Sequence, residues 1–150
     1  MPGRYFEEIE VGEHFNTCRR TVTETDIVNF VSLTAMYDPL FMDMEFVREK
    51  TVYEGRIVPG PLTLSMAIGL VTNLQLFSET VMGMLGLQVR FPRPVRPGDT
   101  IGVDVEIISK KETSKADRGV IDLKYEVKNQ RAEVVAEIIH TMLLKRQPST

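Results

Sequence analysis

Apolar and polar residues alternate along the second half of the chain, which predicts a series of strands. Apolar side chains recur at every second position in two segments, at Ile101, Val103, Val105 and Ile107 and at Ile121, Leu123, Tyr125 and Val127. Such a period of two is typical of a strand buried on one face. Leu87, Val89 and Phe91 follow the same pattern. Turn residues separate these segments, so the pattern indicates an antiparallel sheet of consecutive strands.

The last apolar run, from Val134 to Leu144, does not alternate. Apart from Glu137, His140 and Thr141 it is apolar on both sides. A strand of this kind is expected to be covered on two faces or to pair at an interface.

A helical period replaces this pattern in the first half of the chain. Thr23 precedes two acidic residues, Glu24 and Asp26, which predicts an N-cap and a helix that runs to about Ala35. Asp38-Pro39 interrupts the helical pattern, because the residue before proline avoids the helical region. A loop is expected there, followed by a short helix from Met44 to Lys50.

The segment from about Pro61 to Phe77 predicts a helix that is apolar nearly all round and therefore buried. It carries several polar residues and is shorter than the roughly 20 residues that cross a bilayer, so no membrane span is predicted. The strands are the elements available to cover it. The sequence thus predicts one α+β domain over residues 1–150, with an antiparallel sheet wrapped around a central apolar helix.

Composition excludes several classes of partner and site. The net charge of −3, without a long basic run, argues against nucleic-acid binding. One cysteine, Cys18, and two separated histidines provide no zinc-type cluster, so no metal is expected. The N-terminus does not have the pattern of a secretory signal, and a cytoplasmic location is expected.

Three stretches resemble the MaoC-like enoyl-thioester hydratase and dehydratase family. They are residues 20–27, residues 53–62, which lead into the apolar helix, and residues 90–100, which contain Phe91-Pro92-Arg93-Pro94-Val95-Arg96-Pro97-Gly98-Asp99. The resemblance implies a hot-dog fold and a lyase ancestry in fatty acid metabolism. It implies an acyl thioester of coenzyme A or acyl-carrier protein as substrate or ligand, with no other cofactor.

The family places an aspartate and, five residues later, a histidine in a loop of the pattern D-x-N-P-L-H. This chain reads Met36-Tyr37-Asp38-Pro39-Leu40-Phe41, so Met36 and Phe41 stand at the two catalytic positions. Neither side chain transfers protons. Asp38 stands at the asparagine position, and Pro59 replaces a histidine often found before the glycine of the central helix.

Asp38 is therefore the one candidate catalytic residue, although a turn residue before proline is the more ordinary interpretation. The resemblance suggests that Gly60 offers a backbone N–H to a thioester oxygen at the helix start, although it also fits a turn glycine. Ser65 either approaches the same site or bonds back to its own helix. The expected substrate-binding positions are Met36, Tyr37, Phe41, Pro59, Gly60 and Ser65.

Other residues carry weaker hypotheses. His140 on the last strand is more typical of a structural or interface residue than of a base, and Asp43 is expected to cap the helix that starts at Met44. The methionines suit core filling better than an acyl pocket. Three arginines, Arg90, Arg93 and Arg96, either meet coenzyme A phosphates or are ordinary surface residues.

Three functions stay open from the sequence: an enoyl-thioester hydratase or dehydratase that works through Asp38, a binding subunit without the catalytic pair, and a thioesterase. The last rests on fold analogy alone. The resemblance also implies a homodimer or higher oligomer, or a heterodimer with a homologue that retains the pair.

Overall fold

The computed structural model describes residues 1–149. A six-stranded antiparallel sheet has the order β1-β4-β5-β6-β3, with β2 also paired to β4. The strands are β1 (His14–Asn16), β2 (Arg20–Thr21), β3 (Val81–Arg90), β4 (Thr100–Glu112), β5 (Arg118–Lys128) and β6 (Val134–Lys145). The helices are a 3-10 turn (Phe6–Glu8), α1 (Glu24–Thr34), α2 (Pro39–Met42), α3 (Met44–Lys50) and α4 (Gly60–Thr72). The predicted α+β architecture is confirmed.

The alternating segments form β4 and β5, as predicted. Their inward side chains are buried, and the register places Val105 opposite Tyr125. Helix α4 lies against β4 and β6. The core between sheet and helix contains Leu62, Met66, Ala67, Leu70 and Val71 of α4 together with the inward residues of the strands.

Helix α1 begins where the sequence predicts. The Thr23 hydroxyl accepts from Asp26 N at 3.1 Å, and the Asp26 carboxylate accepts from Thr23 N at 2.8 Å. This reciprocal arrangement satisfies two of the donors that a helix start leaves free. Ala35 ends the helix in the left-handed conformation, with φ of 56°.

Helix α4 is shorter and less enclosed than predicted. It ends at Thr72 rather than near Phe77, and Gln75 adopts φ of 58°, which no α-helix accommodates. Pro61, Ser65, Gly69 and Thr72 form an exposed stripe along it. The apolar residues beyond Thr72 instead pack on the core from a turn, with Phe77 9% exposed.

One edge of the sheet is β3, and the apolar strand β6 lies inside the sheet between β5 and β3. One face of β6 is buried in the core through Ile138, Met142 and Leu144, whereas Ile139 and Leu143 on the other face are only partly buried. Strand β3 carries two irregularities and exposes Val81, Met82, Met84 and Leu85.

The N-terminal segment closes one end of the core. Phe6 is 2% exposed, and its ring lies over Gly119 of β5, where an added Cβ atom would come within 2.3 Å of it. The Lys110 ammonium lies 4.7 Å from the centre of the Phe6 ring, on the approach from solvent.

Candidate functional site

The loop that begins at Met36 contains a helical turn, α2, where the sequence predicts only a loop. Asp38 is its N-cap, since the side chain accepts from Leu40 N at 2.9 Å, and Pro39 occupies the first turn. Aspartate followed by proline suits an N-cap and first helical position as well as it suits a helix end. Asp38 is exposed and engaged in capping, so the loop has no buried carboxylate.

Met36 and Phe41 are half-buried, and Phe41 packs against the core, whereas Tyr37 is 62% exposed. Arg56 ties this loop to the segment before α4: its Nη1 donates to the Phe41 carbonyl at 2.8 Å. The same guanidinium forms an ion pair with Glu24 at the start of α1. The hydrogen bond from Arg56 reaches a backbone atom of the loop and does not use the side chains of Met36 or Phe41.

The segment before α4 is anchored to the chain that leads into β4. Val58 N donates to the Val95 carbonyl at 2.8 Å, and Pro59 is buried. The Pro59 carbonyl accepts from both Leu62 N, at 2.9 Å, and Thr63 N, at 3.2 Å. These bonds fix the direction in which α4 begins.

Gly60 presents a free backbone donor at this point. Its N–H meets no acceptor within residues 1–149, and Pro61 has no N–H. A helix start concentrates unpaired donors and the positive end of the helix dipole, so a partly negative oxygen is stabilised there. Gly60 also lies against Phe91, whose ring would be 3.0 Å from an added Cβ atom.

A cavity of about 330 Å³ opens beside the first turn of α4. Of the predicted binding residues it includes Gly60 alone. Its wall is mixed, with aromatic and aliphatic side chains and a few polar groups: Tyr53, Val58, Thr63, Phe91, Arg93 and Val135. Apolar walls with a few polar groups are typical of small-molecule sites.

Ser65 lies on a different side of α4. Its hydroxyl donates to the Pro61 carbonyl at 2.8 Å, which supports the interpretation that it bonds back to its own helix. Ser65 lines a separate groove of about 380 Å³ between α1 and α4, together with Asn29 and Asn73. The structure therefore does not bring Ser65 and Gly60 into one cavity.

Thr63 lines the cavity with Gly60 and is 2% exposed, and it is not among the site residues predicted from the sequence. A threonine within an apolar helix gives no sequence signal of a site. Its spacing of three residues from Gly60 places both on one side of α4.

Of the remaining candidates, Arg93 lines this cavity and the others lie elsewhere. Asp43 caps α3, as predicted, by accepting from Glu45 N and Phe46 N at 3.0 Å each. The methionines do not line the cavity at α4, and Met66 is part of the core. Among the arginines, Arg93 lines the cavity and pairs with Glu133 at 3.0 Å. Arg96 donates to the Tyr53 carbonyl at 2.7 Å.

Two negative findings concern residues 1–149. No three His, Cys, Asp or Glu side chains in this range come together as metal ligands. Within the same range, every helix is too short or too polar to cross a bilayer.

Residues 7–129 match the protein family described as MaoC like domain. Protein MaoC of Klebsiella aerogenes is 37% identical over 116 residues, which cover 77% of this chain and 33% of that protein. Mesaconyl-CoA hydratase of Cereibacter sphaeroides is 26% identical over 149 residues, which cover 97% of this chain and 42% of the hydratase. The chain thus spans less than half the length of these curated relatives.

Two solved structures confirm the predicted hot-dog fold. A monoamine oxidase regulatory protein from Archaeoglobus fulgidus superposes with a TM-score of 0.91 at 41% identity, and the match covers 97% of each chain. A Mycobacterium tuberculosis protein with a double hot-dog fold superposes with a TM-score of 0.86 at 21% identity. That match covers 99% of this chain and 46% of the other, and it shows the fold alone.

Proposed function

Because the chain belongs to the MaoC-like domain family, we propose that it binds an acyl thioester in the cavity beside the first turn of α4. The observation that carries this proposal is the free N–H of Gly60 at that cavity. The thioester carbonyl oxygen accepts from this N–H, where the helix dipole favours partial negative charge. Coenzyme A or an acyl-carrier protein supplies the thioester.

The cavity wall suits the rest of such a ligand. Phe91 and Val135 provide apolar surface for an acyl chain, and Arg93 provides a positive charge at the rim. Arg93 is 56% exposed on its side chain, so its pairing with Glu133 is weak and exchangeable.

Binding without hydration fits the loop better than catalysis does. Water addition across an enoyl thioester needs one group to activate water and a second to handle the proton at carbon. Met36 and Phe41 provide neither, and Asp38 is exposed and caps α2. We therefore favour a binding subunit that acts beside a catalytic homologue.

Hydration is the second candidate function, and similarity to a hydratase supports it. The match to mesaconyl-CoA hydratase covers 97% of this chain. Asp38 provides one carboxylate in the loop. This function requires Asp38 to leave its capping position and reach the substrate.

Pairing of two domains completes the proposal. The free edge of β3 exposes four apolar side chains, of which Leu85 is 57% and Met84 is 48% exposed. An uncovered apolar edge is a template for pairing with another strand. The partner is a second copy or a homologue that retains the catalytic pair, and a cytoplasmic location is part of the same proposal.

The experiment titrates the purified protein with butyryl-CoA, which has no double bond to hydrate, and with free coenzyme A as control. Tighter binding of butyryl-CoA, together with a rise in the melting temperature, supports the binding proposal. No binding of butyryl-CoA or of butyryl-acyl-carrier protein contradicts it.

Turnover assays separate the other functions. Loss of the enoyl absorbance of crotonyl-CoA, abolished in Asp38→Asn, indicates the hydratase. Release of free coenzyme A thiol from butyryl-CoA indicates a thioesterase.

A further inference from the structure

Thr63 has the one free hydroxyl on α4. Ser65 and Thr72 each donate to the carbonyl four residues earlier, at 2.8 Å. The equivalent acceptor for Thr63 is the Pro59 carbonyl, which already accepts two backbone N–H groups. The Thr63 hydroxyl makes no hydrogen bond with any of the described residues.

Thr63 is nearly fully buried and lines the cavity. Thr63 is 98% buried, since 2% of its surface is exposed. Across residues 1–149, the one fully enclosed side-chain polar atom without a hydrogen bond is Arg56 Nε, which lies beside Glu24. The Thr63 hydroxyl is therefore not fully enclosed, and Thr63 lines the cavity.

A buried hydroxyl without a partner is costly, and a ligand that supplies a partner recovers that cost. Gly60 N–H and the Thr63 hydroxyl lie three residues apart on one side of the helix and open into one cavity. A carbonyl oxygen accepts two hydrogen bonds.

We propose that the Thr63 hydroxyl is a second donor to the thioester carbonyl oxygen, alongside the N–H of Gly60. This inference rests on the proposed function, because it names a further binding residue of the same site. It predicts that Thr63 matters for the ligand and not for the unliganded fold.

The test compares Thr63→Val, which replaces the hydroxyl with a methyl group, with Thr63→Ser, which retains the hydroxyl. Thr72→Val is the matched control, because its hydroxyl lies on the exposed stripe of the same helix. We expect Thr63→Val to weaken butyryl-CoA binding about five- to tenfold, as for one neutral hydrogen bond. Thr63→Ser and Thr72→Val are expected to bind within about threefold of the wild type.

Two readouts distinguish a ligand contact from a structural role. The melting temperature of unliganded Thr63→Val is expected to match or exceed that of the wild type, because no protein hydrogen bond is lost. The infrared carbonyl band of bound butyryl-CoA is expected to move toward its position in free ligand. A lower melting temperature with unchanged affinity overturns the inference.

The outcome for the wild type separates this inference from the proposed function. If the wild type binds butyryl-CoA and Thr63→Val binds it equally well, the Thr63 inference alone fails. If the wild type binds no acyl thioester, the proposed function fails, and the inference fails with it.

Discussion

The phenol oxygen of Tyr125 lies 2.8 Å from Nδ1 of His140, inside the core between the sheet and α4. The two rings meet edge to face, with centres 5.7 Å apart. Burial raises the pKa of the Tyr125 phenol and lowers the pKa of the His140 imidazole, so burial favours the neutral form of both groups. A neutral His140 hydrogen-bonded to Tyr125 within the core agrees with a structural role.

Stability is expected to fall as the pH drops below about 6.5, because His140 resists protonation in the folded chain. Burial lowers its pKa, whereas the unfolded chain takes up the proton near the ordinary value of about 6.5. Between these two pKa values the unfolded state binds more protons, which costs up to about 1.4 kcal/mol per pH unit. Above pH 6.5 this contribution is fully present.

Urea unfolding between pH 8 and pH 5 measures this effect. His140→Gln removes the titrating group. The difference between variant and wild type in the free energy of unfolding should therefore narrow as the pH falls. The control is His14→Gln, since His14 is exposed and 70% of its side chain is accessible. A parallel decline in wild type and His140→Gln excludes His140 as the cause.

Contact between Phe6 and Gly119 gives a second prediction. Gly119→Ala places a methyl group within 2.3 Å of the Phe6 ring, so we expect a loss of about 1–3 kcal/mol in the free energy of unfolding. Phe6→Ala opens a cavity and is expected to cost about 3–5 kcal/mol. The methyl group of Gly119→Ala clashes with the Phe6 ring, which Phe6→Ala removes. The double variant should therefore lose less free energy of unfolding than the sum of the two single variants.

Chemical denaturation of the four proteins completes this cycle. Gly55→Ala is the control, since an added Cβ atom there meets nothing within 4 Å. Strict additivity would show that Phe6 and Gly119 are energetically independent.

The helices and strands that the sequence predicts correctly are those whose local residue pattern agrees with the tertiary structure. The alternation in β4 and β5 and the Thr23 cap belong to this class. The end of α4 does not, because Leu74, Leu76 and Phe77 continue the apolar pattern after the backbone turns. Burial of those residues is satisfied by a turn as well as by a helix, so the pattern does not distinguish the two.

The site was less predictable, because it depends on which polar atoms lack partners. Gly60 followed from a family resemblance, but Thr63 is conspicuous only once the acceptors around it are known to be occupied. Asp38 was a candidate catalytic residue from the sequence, but in the structure its carboxylate caps α2.

A single charge on the edge strand tests the pairing of domains. Leu85→Lys places a charge on the exposed edge of β3, where pairing with another strand would bury it. We expect the wild type to be a dimer or larger assembly and Leu85→Lys to shift toward the monomer by at least tenfold in dissociation constant. Light scattering at several concentrations measures this shift.

Val52→Lys is the matched control, since Val52 is 87% exposed and lies away from the sheet. A monomeric wild type at micromolar concentration, or equal assembly of Leu85→Lys and wild type, contradicts pairing through β3.

The loop itself offers the most direct test of why the chain would bind a thioester without hydrating it. The bonds that hold the loop involve the Asp38 side chain and the Phe41 carbonyl, so they do not depend on the side chains of Met36 and Phe41. Met36→Asp combined with Phe41→His restores both proton-transfer groups on a loop that keeps these hydrogen bonds. The half-buried carboxylate is expected to cost about 1–3 kcal/mol of stability, and the loss of Phe41 packing on the core adds to that cost.

We expect crotonyl-CoA hydration above background in the double variant and not in either single variant, because the acid and the base act as a unit. Circular dichroism checks that all three variants fold, and Asp38→Ala in the double variant, which removes the cap, tests whether the cap orders the loop. Hydration by the wild type at the rate of the double variant would show that a group other than this pair performs the chemistry, and it would favour the hydratase over the binding subunit.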